Sequence, residues 1–394
     1  MSKVIIIGRN YTSRLGMIRA AGRAGHDIYV IKTNTPKKAV DAYSKYVKGY
    51  LYAREPDRKQ LIDTIMSLAE KEQKTIILPV DDYAASVVDE HIDVLKEDFL
   101  FPNIEMRQGA INELMDKDLQ KELAIKAGFN VAKGWVINIQ DGRYEIPDTI
   151  QYPCFPKPQV SFTGNKTCMK RCEDKSELEK TVKSLVSIFP NCSLLIEEFI
   201  QIDKEYATLG FSDGKNVVLP ATIHLLESGR GSHKGVTLRG KITSTEEYSD
   251  FFERLKTFIQ SIHLVGLFDV DSYVSGGKMY FNELNLRFGA SGFAITGMGV
   301  NLPEMLINYL TGNPYDIHQT IREDAVFVNE KVAYEDMMNG FIAPWNYSKY
   351  IKETDVRFIY DKDDMGPNQV FTSLKESKLK PIAKYLLRSL RLMS

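Results

Sequence analysis

Cysteine is scarce in this chain of 394 residues. The four thiols, Cys154, Cys168, Cys172 and Cys192, include no C-x₂-C pair and have no histidine partner beside them. That spacing excludes the common zinc patterns, and reduced thiols predict a cytoplasmic setting. Net charge is nearly absent too, at −1, which leaves no broad electrostatic case for nucleic acid or a membrane surface. No apolar run approaches the roughly 20 residues of a membrane span. Met1-Ser-Lys-Val-Ile-Ile-Ile-Gly8 is too short an apolar run for a signal peptide and reads as a buried strand. Two phosphate-binding fingerprints are missing. Gly8-Arg-Asn-Tyr-Thr-Ser-Arg-Leu-Gly16 lacks G-x-G-x-x-G, and G-x-x-x-x-G-K-[ST] occurs nowhere, since Asn165-Lys166-Thr167 only mimics its tail. A dinucleotide-dependent oxidoreductase is therefore disfavoured. There is no internal repeat.

What is present is concentrated in Lys278-Met-Tyr-Phe-Asn-Glu-Leu-Asn-Leu-Arg-Phe-Gly289. Strand periodicity puts Glu283, Asn285 and Arg287 on one face with Phe281, and Tyr280, Asn282, Leu284 and Leu286 on the other. A carboxylate, an amide and a guanidinium in a row are costly to bury without partners. A hard cation with phosphate oxygens satisfies all three, because Glu and Asn oxygens suit Mg²⁺ and Arg suits phosphate. The preceding strand, Gly266 to Val274, carries Asp269 and Asp271 and runs into Ser275-Gly276-Gly277, a hairpin signal. Directly paired residues share a face. An odd or bulged connection is needed to bring both aspartates to the Glu283 face, and one is expected here. The bland alternative is an edge strand with solvated acids.

An acid followed about a dozen residues later by Glu-x-Asn-x-Arg at the end of a hairpin resembles the Mg²⁺ and phosphate site of the ATP-grasp superfamily. The resemblance implies that Asp271, Glu283 and Asn285 hold the metal, with Asp269 the other candidate for the first ligand, and that Arg287 helps the transferred phosphoryl group. Upstream, Lys117 in Met115-Asp-Lys-Asp118 falls where the family has a nucleotide-binding lysine. Lys157 in Tyr152-Pro-Cys-Phe-Pro-Lys-Pro158 looks like the second such lysine. Ser161-Phe-Thr-Gly164-Asn-Lys166-Thr167 fits the short phosphate loop, with Ser161 and Gly164 as its contacts. Ser193 to Ile200 resembles the adenine hinge, so that Glu197 or Glu198 and the backbone of Phe199 and Ile200 meet the base. Glu205 falls at the ribose position. The basic, glycine-rich stretch from Ile223 to Arg239 suggests an anion pocket, with Lys234 and Arg239 as cations for the γ-phosphate or a substrate carboxylate; a solvated basic loop explains it equally well.

Strand and helix alternate over the first hundred residues, as in a parallel sheet. Strands are expected at Val4–Ile7, Ile28–Ile31 and Thr75–Leu78, and helices at Arg14–Ala24, Asp57–Lys71 and Asp82–Lys96, with Asp82 as an N-cap. The expected architecture is α/β and α+β. A Rossmann-like domain over 1–108 precedes an ATP-grasp domain over 109–312, with a lid at about 133–196, and an α+β region over 313–394. That last region is expected to hold strands at Val326–Val332, Asp355–Tyr360 and Gln369–Thr372 and a helix at Pro381–Leu390, and it is a candidate homodimer contact. The resemblance implies ATP with Mg²⁺ or Mn²⁺ as cofactors and small-molecule partners. It further implies a ligase that joins a carboxylate to an amine through an acyl phosphate. A bicarbonate-activating carboxylase and an ATP-binding module without turnover remain as alternatives.

Overall fold

The structure, a computed structural model, describes residues 1–159, 170–373 and positions 384, 385 and 388. The chain opens with five parallel strands in the order Val47–Tyr52, Asp27–Lys32, Lys3–Gly8, Thr75–Pro79, Phe99–Leu100. The central strands are nearly continuous aliphatic runs because helices cover both faces. The strand Val47–Tyr52 was not expected from the sequence. It is an edge strand, only half-buried, so it lacks the apolar run that marked its neighbours. The first helix, Tyr11–Arg23, starts three residues before the expected Arg14, because the Asn10 side chain accepts the Thr12 N–H at 2.9 Å.

A fully buried ion pair holds this helix to the loop that follows the second strand. Arg14 donates through Nε to Asp41 at 2.6 Å and through Nη1 to the Gly8 carbonyl at 2.6 Å, and neither charged side chain is exposed. Removing one member strands the other charge, which costs about 3–5 kcal/mol. Asp41→Ala is thus expected to lower the unfolding free energy by about that amount, read by urea titration.

Three antiparallel strands follow, Gly134–Ile139, Cys192–Glu198 and Cys154–Pro158, with Cys192–Glu198 in the centre. The helix Lys175–Val186 covers one face through Leu178, Val182 and Leu185, and Ile137, Leu194 and Ile196 pack beneath it. The opposite face carries Lys157, Leu195 and Glu197. This small layer, called the lid, falls in the stretch expected to form one.

The largest sheet is antiparallel at its heart, in the order Lys278–Asn285, Leu264–Ser275, Lys204–Asp213, Thr222–Ser228, Thr237–Thr243, Val326–Val328, Val356–Arg357. Its back carries Val270, Phe281 and Leu284 against the helix Ser249–Ser261 and Phe129. The last two strands belong to the C-terminal region, which thereby joins the main sheet. Arg19 of the first helix ties it down further, donating to the Phe358 and Ile359 carbonyls at 2.8 and 2.7 Å and to Asp364 at 2.9 Å.

Three expectations for this region need correction. The strand expected at Asp355–Tyr360 is confined to Val356–Arg357. The strand beginning at Val326 stops at Val328, because Asn329 caps a helix, Glu330–Met338, through the Val332 N–H. Gln369–Thr372 lies within a helix, Gly366–Ser373, with Pro367 at a permitted early position. The single helix expected at Asp82–Lys96 is two, Asp82–Asp89 and Ile92–Leu95. Among the described residues no helix is long and apolar enough to cross a membrane.

Candidate active site

The hairpin closes through Gly276 and Gly277, both at positive φ (+54° and +77°), with Ser275 opposite Lys278. Such a two-residue turn suits glycine. Alone it would put the aspartates on the wrong face. The odd residue is supplied inside the strand: Ser272 pairs with Phe281 but Asp271 pairs with Glu283, so Asn282 is bulged out. Beyond the bulge Asp269 faces Asn285. Both aspartates therefore share a face with Glu283 and Asn285. The same bulge corrects the expected side-chain pattern. Phe281 packs on the back of the sheet with Leu284, while the Asn282 amide oxygen lies 3.5 Å from Lys157 Nζ.

Asp269 and Asn285 are each 8 % exposed. Burial pushes the carboxyls of Asp269 and Asp271 above the usual range, and Glu283 adds to both. Arg287 opposes this. Its Nη2 donates to Asn285 Oδ1 at 3.0 Å, and Nη1 is 3.6 Å from Asp269 Oδ2. Among the described residues Asp269 Oδ1 is buried with no hydrogen-bond partner. A crowded carboxylate set with an orphaned oxygen fits a hard divalent cation. Among the described residues no three His, Cys, Asp or Glu side chains already form a cation cage. Instead Lys117 Nζ reaches Glu283 Oε1 at 2.7 Å, so an ammonium partners the acid.

Lys117 is placed by its helix, Lys117–Lys126, which Asp116 caps through the Asp118 and Leu119 N–H groups. The helix docks on the strand Lys278–Asn285 through Gln120. Its amide donates to the Leu284 carbonyl at 2.8 Å and accepts the Leu284 N–H at 2.9 Å, and so mimics a neighbouring strand at an open sheet edge. From the lid, Lys157 Nζ sits 2.8 Å from Glu197 Oε2, and Lys121 Nζ is 2.7 Å from Glu197 Oε1. Burial lowers the pKa of Lys157, partly countered by Glu197. Burial would raise that of Glu197, but Lys157 and Lys121 hold it below the usual range.

The remaining expected residues are placed as follows. Strand alternation turns Glu198 away from Glu197, and its Oε1 accepts the Lys133 N–H at 2.8 Å. The Phe199 N–H donates to the Pro153 carbonyl at 2.8 Å, Arg171 lies 4.4 Å over the Phe199 ring, and Ile200 is half-buried beside it. Glu205 is exposed and pairs in register with Tyr273, two residues from Asp271 on the same face. Ser161 and Gly164 lie outside the described residues. Lys234 and Arg239 are not brought to the acids. Lys234 is exposed on a short loop that His233 ties to Glu335 and Asp336 at 2.8 Å each. Arg239 lies three strands from Asp271, about 14 Å at normal strand spacing, with its guanidinium 4.3 Å over the Tyr350 ring.

Asp82 also departs from expectation. The N-cap is Asp81, which accepts the Ala84 N–H at 2.9 Å. Asp82 Oδ1 accepts from Arg287 Nε at 3.1 Å. The C-terminal edge of the parallel sheet, where open α/β sheets place ligands, thus meets the residues that follow the strand Lys278–Asn285. Gln120, Lys121 and Asn282 were missed as well. The one available signal was spacing: Lys117 and Lys121 are four apart and share a helix face.

The small sheet meets the rest of the chain through Lys121–Glu197 and Lys157–Asn282, beside the hairpin that carries the acids. Residues 122–301 match the ATP-grasp domain family, so the chain carries an ATP-grasp domain. It is similar to a D-alanine–D-alanine ligase of Bacillus cytotoxicus, 25% identical over 49% of this chain and 57% of that protein. It is also similar to the C-terminal section of a carbamoyl phosphate synthase large chain of Aquifex aeolicus, 24% identical over 45% of this chain and 33% of that one. The chain therefore spans a third to just over half of these curated relatives. Among solved structures, N5-carboxyaminoimidazole synthetase of Staphylococcus aureus complexed with ADP superposes with a TM-score of 0.63 at 17% identity, covering 83% of this chain and 82% of that one. The L-amino acid ligase of Bacillus licheniformis gives 0.60 at 14% identity, covering 83% and 78%.

Proposed function

We propose that the protein is an ADP-forming ligase that joins a small carboxylate to an amine, using Mg-ATP. The observation that carries this reading is the hairpin register, which sets Asp271 against Glu283 and Asp269 against Asn285 with Lys117, Lys157 and Arg287 around them. Phosphoryl transfer needs chiefly positioning and charge neutralisation. A bound Mg²⁺ would be held by Asp271, Glu283 and Asn285, with Asp269 adjacent, and would neutralise charge on the β- and γ-phosphates. Lys117 would exchange Glu283 for a phosphate oxygen. Lys157 would do the same with Glu197. Arg287, held by Asn285 and Asp82, would face the transferred phosphoryl group from the side where the N-terminal domain begins. The γ-phosphoryl would pass to the substrate carboxylate, releasing ADP. The amine would then attack the acyl phosphate, expelling phosphate and forming the C–N bond. The lid would exclude water from that intermediate.

The named relatives, a D-alanine–D-alanine ligase and an L-amino acid ligase, favour an amino acid as at least one substrate. The test is phosphate release from Mg-ATP with pooled amino acids and small carboxylates, with and without an amine pool. Release that needs both pools is expected. Release driven by bicarbonate alone would replace the ligase reading with a carboxylase one. ATP binding without release in any pool would favour a module without turnover.

A further inference from the structure

Glu197 is a shared counter-ion. One oxygen holds Lys157 of the lid at 2.8 Å and the other holds Lys121 of the body helix at 2.7 Å. All three side chains are nearly buried, between 8 and 13 % exposed. The fold makes room for this arrangement. Gly134 stands directly opposite Glu197 in the lid sheet. A Cβ at that position would lie 2.6 Å from Lys121 Nζ and 3.0 Å from Leu195 Cδ1, so a side chain there would displace the ammonium. Lys121 lies one turn beyond Lys117 on the same helix face. The two lysines divide the work: Lys117 meets an acid of the hairpin, and Lys121 meets an acid of the lid.

The arrangement has a consequence for nucleotide binding, and it rests on the reading of the site given above. When Lys157 turns to a phosphate it releases its oxygen of Glu197. A buried carboxylate left without a cation is costly. We propose that Lys121 is a positioning residue that keeps Glu197 paired during this exchange, so that Lys157 is free to reach the nucleotide while the lid stays anchored to the body. Lys121 does not itself touch the phosphates. Its effect passes through Glu197.

The proposal is tested by calorimetric titration of ATP with Mg²⁺ into the wild-type protein and into Lys121→Met, Lys121→Gln, Lys121→Arg, Glu197→Gln and the double variant Lys121→Met/Glu197→Gln. Lys121→Met and Lys121→Gln are expected to weaken binding at least tenfold, about 1.4 kcal/mol. Lys121→Arg restores the cation and is expected to bind within about threefold of wild type, and the Met substitution is expected to change affinity less than about threefold once Glu197 is neutral. Unchanged affinity in both Lys121→Met and Lys121→Gln would overturn the proposal. So would an equal loss with Glu197 present or neutralised, since that would mean direct contact or damaged folding. Wild-type protein that binds no ATP would instead refute the nucleotide-site reading itself, which keeps the two failures distinct.

Discussion

Glu283→Gln is expected to reduce phosphate release by about three orders of magnitude while leaving the fold intact. Glu283 stands opposite Asp271 in the hairpin and is the acid that Lys117 partners. The amide keeps the shape of the side chain but loses the negative charge a hard cation selects. A metal that polarises a phosphoryl oxygen stabilises the transition state by several kcal/mol, and about 4 kcal/mol corresponds to roughly a thousandfold in rate. The back of the strand is untouched, because Phe281 and Leu284 still pack on the helix behind it, and Gln120 still bonds the Leu284 backbone. The check is steady-state phosphate release beside a circular-dichroism melt. Wild-type turnover in a folded Glu283→Gln protein would remove Glu283 from the metal site.

Lys157→Ala is expected to weaken ATP binding by about 10- to 100-fold, the loss of one charge-assisted contact worth roughly 1.5–3 kcal/mol. The side chain is buried where the lid meets the hairpin, with Glu197 on the lid and Asn282 on the hairpin as its neighbours. The lid is expected to survive, since Glu197 keeps Lys121 as a partner. Equilibrium titration with ATP and Mg²⁺ checks this. Unchanged affinity would mean that Lys157 only supports Glu197.

The strand proposed to hold the metal was legible because its chemistry is written at period two: acid, amide and guanidinium alternate with leucines. The need for an odd residue in the hairpin was legible from the same arithmetic, but its place was not. Gly276 and Gly277 make an ordinary two-residue turn, and the bulge at Asn282 is a property of pairing between strands that no single strand displays. Lys121 looked like one more solvated lysine on a polar helix. Only the lid folding over it, and the missing side chain at Gly134, bury it against Glu197. Asp82 was read as a cap because Asp-Asp before a helix offers two equivalent candidates. The structure gives the cap to Asp81 and leaves Asp82 for Arg287, a partner 205 residues away. Local signals also misled at Gln369–Thr372, where Val370 and Thr372 suggest a strand but burial of Phe371 against Tyr334 and Ile359 is met by a helix.

The most direct measurement is titration of the wild-type protein and Glu283→Gln with ATP, each with and without Mg²⁺. On the proposed reading, the acids of the hairpin would repel bare ATP and would hold the metal that screens it. Wild type is therefore predicted to bind ATP much more tightly with Mg²⁺, and Glu283→Gln to lose most of that difference. No ATP binding by the wild-type protein, or an affinity indifferent to Mg²⁺, would contradict the assignment of this hairpin as a Mg-ATP site.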